Sequence, residues 1–287
     1  LRDTQNGCKN TAVGYQSMLD ATSADCNVAL GAYSLANNTT ADLNTALGAC
    51  SMYTNGTGAN NVAVGYSSLY STTGSNNTAV GLNALVSSQG TNDSTAIGMR
   101  ALCSQTTGSN NTSVGYSSMC GVTTGVCNTS IGRLSGRITS TGNNNASLGY
   151  DANPSAFGSN NQITLGNSNN TNLRCADTSI STLSDLRDKT NVEDIPHGLD
   201  YILALRPVKF DWETRDGSRK GKKDYGFIAQ ELDKVETDFG SAEYTKLVHK
   251  DNPEKWEADP MKTYPILIKA IQELKTQNDN LITRIET

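Results

Sequence analysis

Asn61-Val62-Ala63-Val64-Gly65 sets the architecture of the N-terminal half of this chain. Side-chain size alternates with period two up to the glycine, which is the pattern of a short strand. The glycine then admits a bend or a positive φ. The same phrase returns around Gly14, Gly31, Gly48, Gly65, Gly81, Gly98, Gly115, Gly132, Gly149 and Gly166. The spacing is 17 residues, shortened once to 16 between Gly65 and Gly81. The residue before the glycine is Val, Leu or Ile in all ten copies. Two before it stands Ala, Ser or Thr, and four before it Asn, with Ser94 and Gln162 as exceptions.

A second apolar position falls four residues after the glycine, at Met18, Leu35, Met52, Leu69, Leu85, Leu102 and Met119. Between copies lie turn-forming stretches such as Thr73–Asn77 and Thr107–Asn111. One copy is too small to hold itself together. Stacked copies can do so, because each aliphatic ladder runs on from one copy to the next. Helix is excluded by the dominance of Gly, Asn, Ser and Thr and the lack of a 3.6-residue period. A disordered linker has no need to keep one aliphatic position through ten copies. Six scattered Asp do not make a calcium ladder. The Thr column that would suit an ice-binding face is interrupted by Val28 and Val62.

The 287 residues, with net charge −5, divide sharply in composition. Residues 1–176 carry 12 charged side chains and no Glu, whereas 177–287 carry 39. All seven Cys and 21 of the 26 Gly lie in the first part; both Trp and five of the six Pro lie in the second. We therefore expect two domains, 1–176 and 177–287. No apolar run approaches the roughly 20 residues that span a bilayer. No basic excess favours nucleic acid. The chain opens at Leu1 with neither Met nor a signal-type segment, and we read it as a C-terminal fragment of something longer. The cysteines are odd in number and lack zinc-like spacing, so we expect reduced, buried thiols suited to a reducing cytoplasm. Cys103 and Cys120 share a register and lie within possible bridging distance. No cofactor or metal is expected.

The second part has globular composition. Pro207–Trp212 alternates like a half-buried strand, Arg215–Lys223 reads as a charged, solvated hairpin tip, Tyr225–Ala229 as a returning strand and Gln230–Val235 as the start of a helix. Near the C-terminus Leu267, Ile271, Leu274, Asn278, Leu281 and Ile285 are spaced 4, 3, 4, 3, 4, a heptad seam with Ile271, Asn278 and Ile285 at a. A seam this narrow needs partner helices. Ile at a with Leu at d favours dimers by rule, but a repetitive fibre favours three chains, and we expect a trimer. His197 and His249, the only histidines, accompany no Ser/His/Asp set.

Two resemblances follow. Residues 8–170 are similar to the head repeats of trimeric autotransporter adhesins and to viral and phage fibre shafts. This implies a stacked parallel β-roll or an interleaved trimeric β-fibre. Ser184-Asp185-Leu186-Arg187-Asp188-Lys189, with Leu205–Trp212, Gly226–Leu232 and Ala270–Leu274, closely resembles the endosialidase-type intramolecular chaperone domain. In that family the domain trimerises, guides folding of the β-fibre before it, and cuts itself off with a Ser-Lys dyad. The resemblance places that dyad on Ser184 and Lys189. It implies an α+β domain ending in a trimeric coiled-coil helix, and an enzyme that acts on its own chain as a serine endopeptidase.

Chemically, a Ser hydroxyl needs a base, and a neutral Lys amine can serve. The two residues can share one face of a helical turn or meet across a trimer interface. Attack of Ser184 on its own carbonyl closes a four-membered ring, which is disfavoured. Attack on the carbonyl of Leu183 gives an N-to-O acyl shift, so the Leu183–Ser184 bond is the chemical choice. A cut between Ser184 and Asp185 would need an attacking group from elsewhere. The expected protein is a viral fibre or tail-spike fragment, assembled in the host cytoplasm and carried on the virion. Its expected partners are two further copies of itself and a host surface receptor or glycan, with no nucleic acid and no membrane insertion. A bacterial trimeric adhesin with the same chaperone, or the C-terminal part of a glycan-degrading tail spike, are the alternatives.

Overall fold

Each copy of the repeat makes a strand of three residues, ending just before its glycine. Ten of them, from β1 (Thr11–Val13) to β10 (Ile163–Leu165), pair in sequence order in one parallel sheet. The computed structural model describes residues 6–170, 172–176, 180–215, 217 and 219–286. Register is uniform: Thr11 pairs with Val28, Ala12 with Ala29, Val13 with Leu30, and so on up the sheet. Every pairing lies within one chain, so the shaft is a parallel β-solenoid of nine turns rather than an interleaved fibre.

Successive side chains of a strand point to opposite faces. The central Ala or Ser therefore points inward, and Ala29, Ala46, Ala63, Ala79 and Ala96 are fully buried. The facing interior is filled by the Met/Leu column, Met18 to Met119, also fully buried. Each such side chain contributes about 1.5–3 kcal/mol. Of the two aliphatic ladders expected to stack, the one before each glycine lies outside. Val13, Leu30, Leu47, Ile97, Ile131, Leu148 and Leu165 are exposed in the single chain, because the strand has only one inward position and the small residue occupies it.

The coil turns sharply at three left-handed positions. At four residues past the glycine φ is 48° at Met18, 50° at Leu35 and 48° at Met52. The residues five before and two after the glycine, such as Asn60 and Ser67, are left-handed as well. The strand-terminating glycines hold φ between 117° and 140° from Gly14 to Gly149, and they stack on one another. A Cβ on Gly14 would lie 2.4 Å from the Gly31 carbonyl oxygen, so only glycine fits that column.

The Asn four before the glycine forms a buried ladder. The Asn44 Oδ1 accepts the backbone N–H of Asn61 at 2.9 Å, and the Asn44 Nδ2 donates to the Gly58 carbonyl at 2.9 Å. Asn27, Asn61, Asn111 and Asn128 repeat both bonds. Buried backbone groups at the turns are thereby satisfied from the next coil.

Cys103 and Cys120 are joined by a disulfide between neighbouring coils. Cys8, Cys26, Cys127 and Cys175 are free and exposed, and Cys50 is free and half-buried. This corrects the expectation of buried, unbridged thiols. Cys26 and Cys127 occupy the outward left-handed position five before the glycine, while positions 103 and 120 stack one coil apart with Cα atoms 5.0 Å apart.

The chain splits into two compact units, 1–170 and 171–287. In the second, α1 (Leu199–Ala204) is followed by an antiparallel hairpin of β11 (Val208–Asp211) and β12 (Lys223–Gly226). Then come α2 (Ala229–Asp238), α3 (Ala242–Thr245), the short pair β13 (Val248–His249) and β14 (Glu257–Ala258), and α4 (Tyr264–Glu286). The returning strand starts two residues before the expected Tyr225 and ends at Gly226, because Phe227 turns into the core and Ile228 caps α2. The core gathers Tyr201, Leu232, Val235, Leu247 and Ile266. Buried Glu236 accepts from the Thr245 hydroxyl and the Leu247 N–H, both at 2.6 Å, which ties α2 to the chain leaving α3. At the hairpin tip Arg215 pairs with Glu254, Arg219 with Asp224 and Lys220 with Glu213, as a solvated tip should. Residues 216 and 218 of the tip lie outside the described residues.

Candidate functional site

The Ser184–Lys189 segment is a single 3₁₀ turn, Leu186–Asp188, closed at both ends. Asp185 is extended and serves as its N-cap: its carboxylate accepts the Arg187 N–H at 2.9 Å. The Arg187 guanidinium grips the same carboxylate with two bonds, at 3.0 and 2.6 Å. This pairing holds the Asp185 carboxyl below the usual carboxylate range and raises Arg187. At the far end the Lys189 N–H donates to the Leu186 carbonyl at 3.1 Å. One tight turn thus folds residue 189 back over residue 184. The Lys189 Nζ donates to the Ser184 Oγ at 2.7 Å, within one chain. Leu183, Ser184 and Lys189 are exposed, and Asp185 is half-buried. Just upstream, the Thr182 hydroxyl donates to the Leu183 carbonyl oxygen at 3.2 Å.

Downstream, the chain enters the domain at His197–Leu199. His197 lies 5.4 Å from the Phe239 ring and 5.8 Å from Tyr201, centroid to centroid, which gives it a packing role. His249 is exposed on β13. Gly198 has no side chain to cap α1, and the cap comes from 74 residues away: the Glu273 Oε2 accepts the Leu199 N–H at 2.7 Å. A Cβ at Gly198 would sit 2.3 Å from that carboxylate. Glu273 belongs to the Ala270–Leu274 motif, but nothing in its spacing signals a bond to Leu199.

The other two motifs also meet. Leu205 and Arg206 on one side, and Phe227, Ile228, Glu231 and Leu232 on the other, line a cleft of about 320 Å³. The Arg206 guanidinium spans the Glu231 carboxylate at its edge, which lowers Glu231 and raises Arg206. None of the residues 182–189 lines this cleft, and the Ser184–Lys189 pair lies on the surface. Among the described residues no group of three or more His, Cys, Asp and Glu is placed to hold a metal ion. Among them, too, no helix is long and apolar enough to cross a membrane.

The family model described as chaperone of endosialidase matches residues 184–241, beginning on Ser184, and the second unit contains that domain. A β-solenoid followed by that domain fits a fibre or tail-spike fragment. The Ala270–Leu274 motif lies outside the matched residues. No curated protein and no solved structure is significantly similar to the chain.

Proposed function

We propose that this chain is part of a viral fibre or tail spike whose second unit gathers three copies, aligns their shafts, and then severs itself beside Ser184. The observation that carries the reading is the 2.7 Å contact of Lys189 Nζ with Ser184 Oγ, at the first residue of the matched chaperone domain. The hydroxyl and its base are within proton-transfer reach before any partner arrives.

Two unpartnered apolar surfaces support self-association. On α4 the face carrying Ile266, Ala270 and Glu273 turns into the domain, while the heptad seam points about 90° away around the helix. The seam is open: Ile271 is 57% exposed and Leu274 48%. Beyond Glu273 every described residue of α4 is exposed. A helix of about 13 residues is marginal in water by itself, so neighbouring copies of the same helix are its natural cover. On the shaft, the outward aliphatic column runs the length of the sheet beside the exposed Tyr15, Tyr66, Tyr116 and Tyr150. Parallel copies bury such a stripe.

The two units then serve one end. Near-identical coils make a neighbour offset by one turn almost as stable as one in register. Joining the C-terminal ends fixes the offset and raises the local concentration of shafts. Removing the joining unit afterwards closes the route back, which gives the fibre kinetic stability. The mature shaft presents its outer surface to a host receptor or glycan, as part of a virion assembled in the host cytoplasm. The test is a denaturing gel with intact masses, and native mass measurement, of wild type beside Ser184→Ala. Wild type is expected to split at Ser184 and to form trimers, and the variant to form trimers uncut. An uncut wild type or a monomeric full chain overturns the reading.

A further inference from the structure

Attack by Ser184 puts negative charge on the oxygen of the carbonyl it attacks, and such steps are fast only where a donor already faces that oxygen. One side-chain donor stands at this place. Thr182 Oγ1 lies 3.2 Å from the Leu183 carbonyl oxygen and donates to it. The Leu183 carbonyl is bonded directly to the nitrogen of Ser184, whose Oγ carries the Lys189 amine at 2.7 Å. Among the described residues no side chain donates to the Ser184 carbonyl.

We propose that Thr182 is a catalytic residue: its hydroxyl is the oxyanion donor for attack on the Leu183 carbonyl, and it fixes the cut at the Leu183–Ser184 bond. The proposal deepens the self-cleavage reading and rests on it. Ser184 Oγ adds to the Leu183 carbonyl carbon through a five-membered ring and gives its proton to the neutral Lys189 amine. The π electrons of the carbonyl move onto its oxygen, where the Thr182 O–H holds them. The oxyanion collapses, the C–N bond to Ser184 breaks, and the Lys189 ammonium returns the proton to the leaving nitrogen. The Leu183 acyl group is now an ester on Ser184 Oγ. Water hydrolyses it, leaving the Leu183 carboxylate and a free hydroxyl and amine on Ser184. The contact is longer than the 2.7–3.1 Å of a fully engaged donor, and such bonds tighten as charge develops.

The test uses the full chain in wild-type, Thr182→Ala, Thr182→Ser and Ser184→Ala forms. It follows the cut fraction over time, the N-terminal residue of the released piece, and oligomeric state by native mass. Thr182 is exposed and makes no core contact, so assembly is expected to be the same in all four. Thr182→Ala is expected to slow cutting by about tenfold or more. Thr182→Ser, which keeps the hydroxyl, is expected to restore most of the rate, and the released piece to begin at Ser184. Equal rates for wild type and Thr182→Ala, or equal losses for Ala and Ser, overturn the role of Thr182 while self-cleavage stands. A piece beginning at Asp185 does the same. A wild type that is not cut while oligomeric overturns the self-cleavage reading and this proposal with it.

Discussion

Gln105 Nε2 donates to Ser94 Oγ at 3.1 Å inside the solenoid, and Ser94 stands where eight of the ten copies place an asparagine. Ser94 keeps half of the buried Asn ladder, its Oγ accepting the Asn111 N–H of the next coil at 3.3 Å, but it has no amide to donate to the Gly108 carbonyl. Gln105 supplies that donor: its amide also donates to the Gly108 carbonyl, and its oxygen accepts from Asn111 Nδ2 at 3.3 Å. Gln105→Ala therefore leaves buried polar groups unpaired, and a loss of about 1–3 kcal/mol is expected. Ser94→Asn added to it restores the ladder and recovers part of that loss. A double-mutant cycle on the denaturant midpoint measures the coupling, and strictly additive effects would contradict this account.

The Cys103–Cys120 disulfide closes a loop with a sequence separation of 17. A loop of that size is worth about 3 kcal/mol through the unfolded chain. Replacing both cysteines with serine should lower the shaft's denaturant midpoint by that order and abolish its sensitivity to reductant. Alkylation with mass measurement checks the pairing: five of the seven thiols should react before reduction and all seven after.

The α4 seam is separate from the face that holds the domain together. Leu274→Asp should abolish self-association, since it places a charge on the seam where the proposed trimer would join, while the core of Tyr201, Leu232, Leu247 and Ile266 remains intact. Sedimentation and near-ultraviolet circular dichroism separate these effects. A variant that stays trimeric would show that the shaft alone suffices for assembly.

Asp185 fixes the turn that brings Lys189 to Ser184, and Arg187 holds its carboxyl below the usual carboxylate range. A carboxyl depressed on folding adds to the ordered turn above its unfolded pKa, and that contribution is lost as pH falls through the depressed value. The turn should therefore loosen on the acid side, and Arg187→Gln should move that loss to higher pH. An NMR titration of the Asp185 carboxyl in uncut Ser184→Ala and Ser184→Ala/Arg187→Gln chains checks the direction. An unmoved or lowered midpoint would refute it.

The strand-and-turn period, the stacking of coils and the break between units follow from residues such as Val64, Gly65 and Asn61, because nearest-neighbour geometry repeats along the chain. The same pattern did not say which of the two aliphatic ladders is buried. Val64 and Ala63 are adjacent and both apolar, and only the width of the coil interior selects the smaller one. The heptad from Leu267 to Ile285 announces a helix, but its second face, where Glu273 caps α1 at Leu199, leaves no trace in spacing.

What the sequence determined by itself was local and periodic: strand length, the glycine column, the helix seam and the Ser-Asp-Leu-Arg-Asp-Lys stretch that carries the proposed dyad. Only tertiary structure decided which side chains meet across coils and turns. Gln105 meets Ser94, Cys103 meets Cys120, and Lys189 folds onto Ser184, with the Thr182 hydroxyl beside them on the Leu183 carbonyl. Side-chain reach across a coil or turn depends on backbone angles and wall-to-wall distances, and these exist only once the chain has closed upon itself.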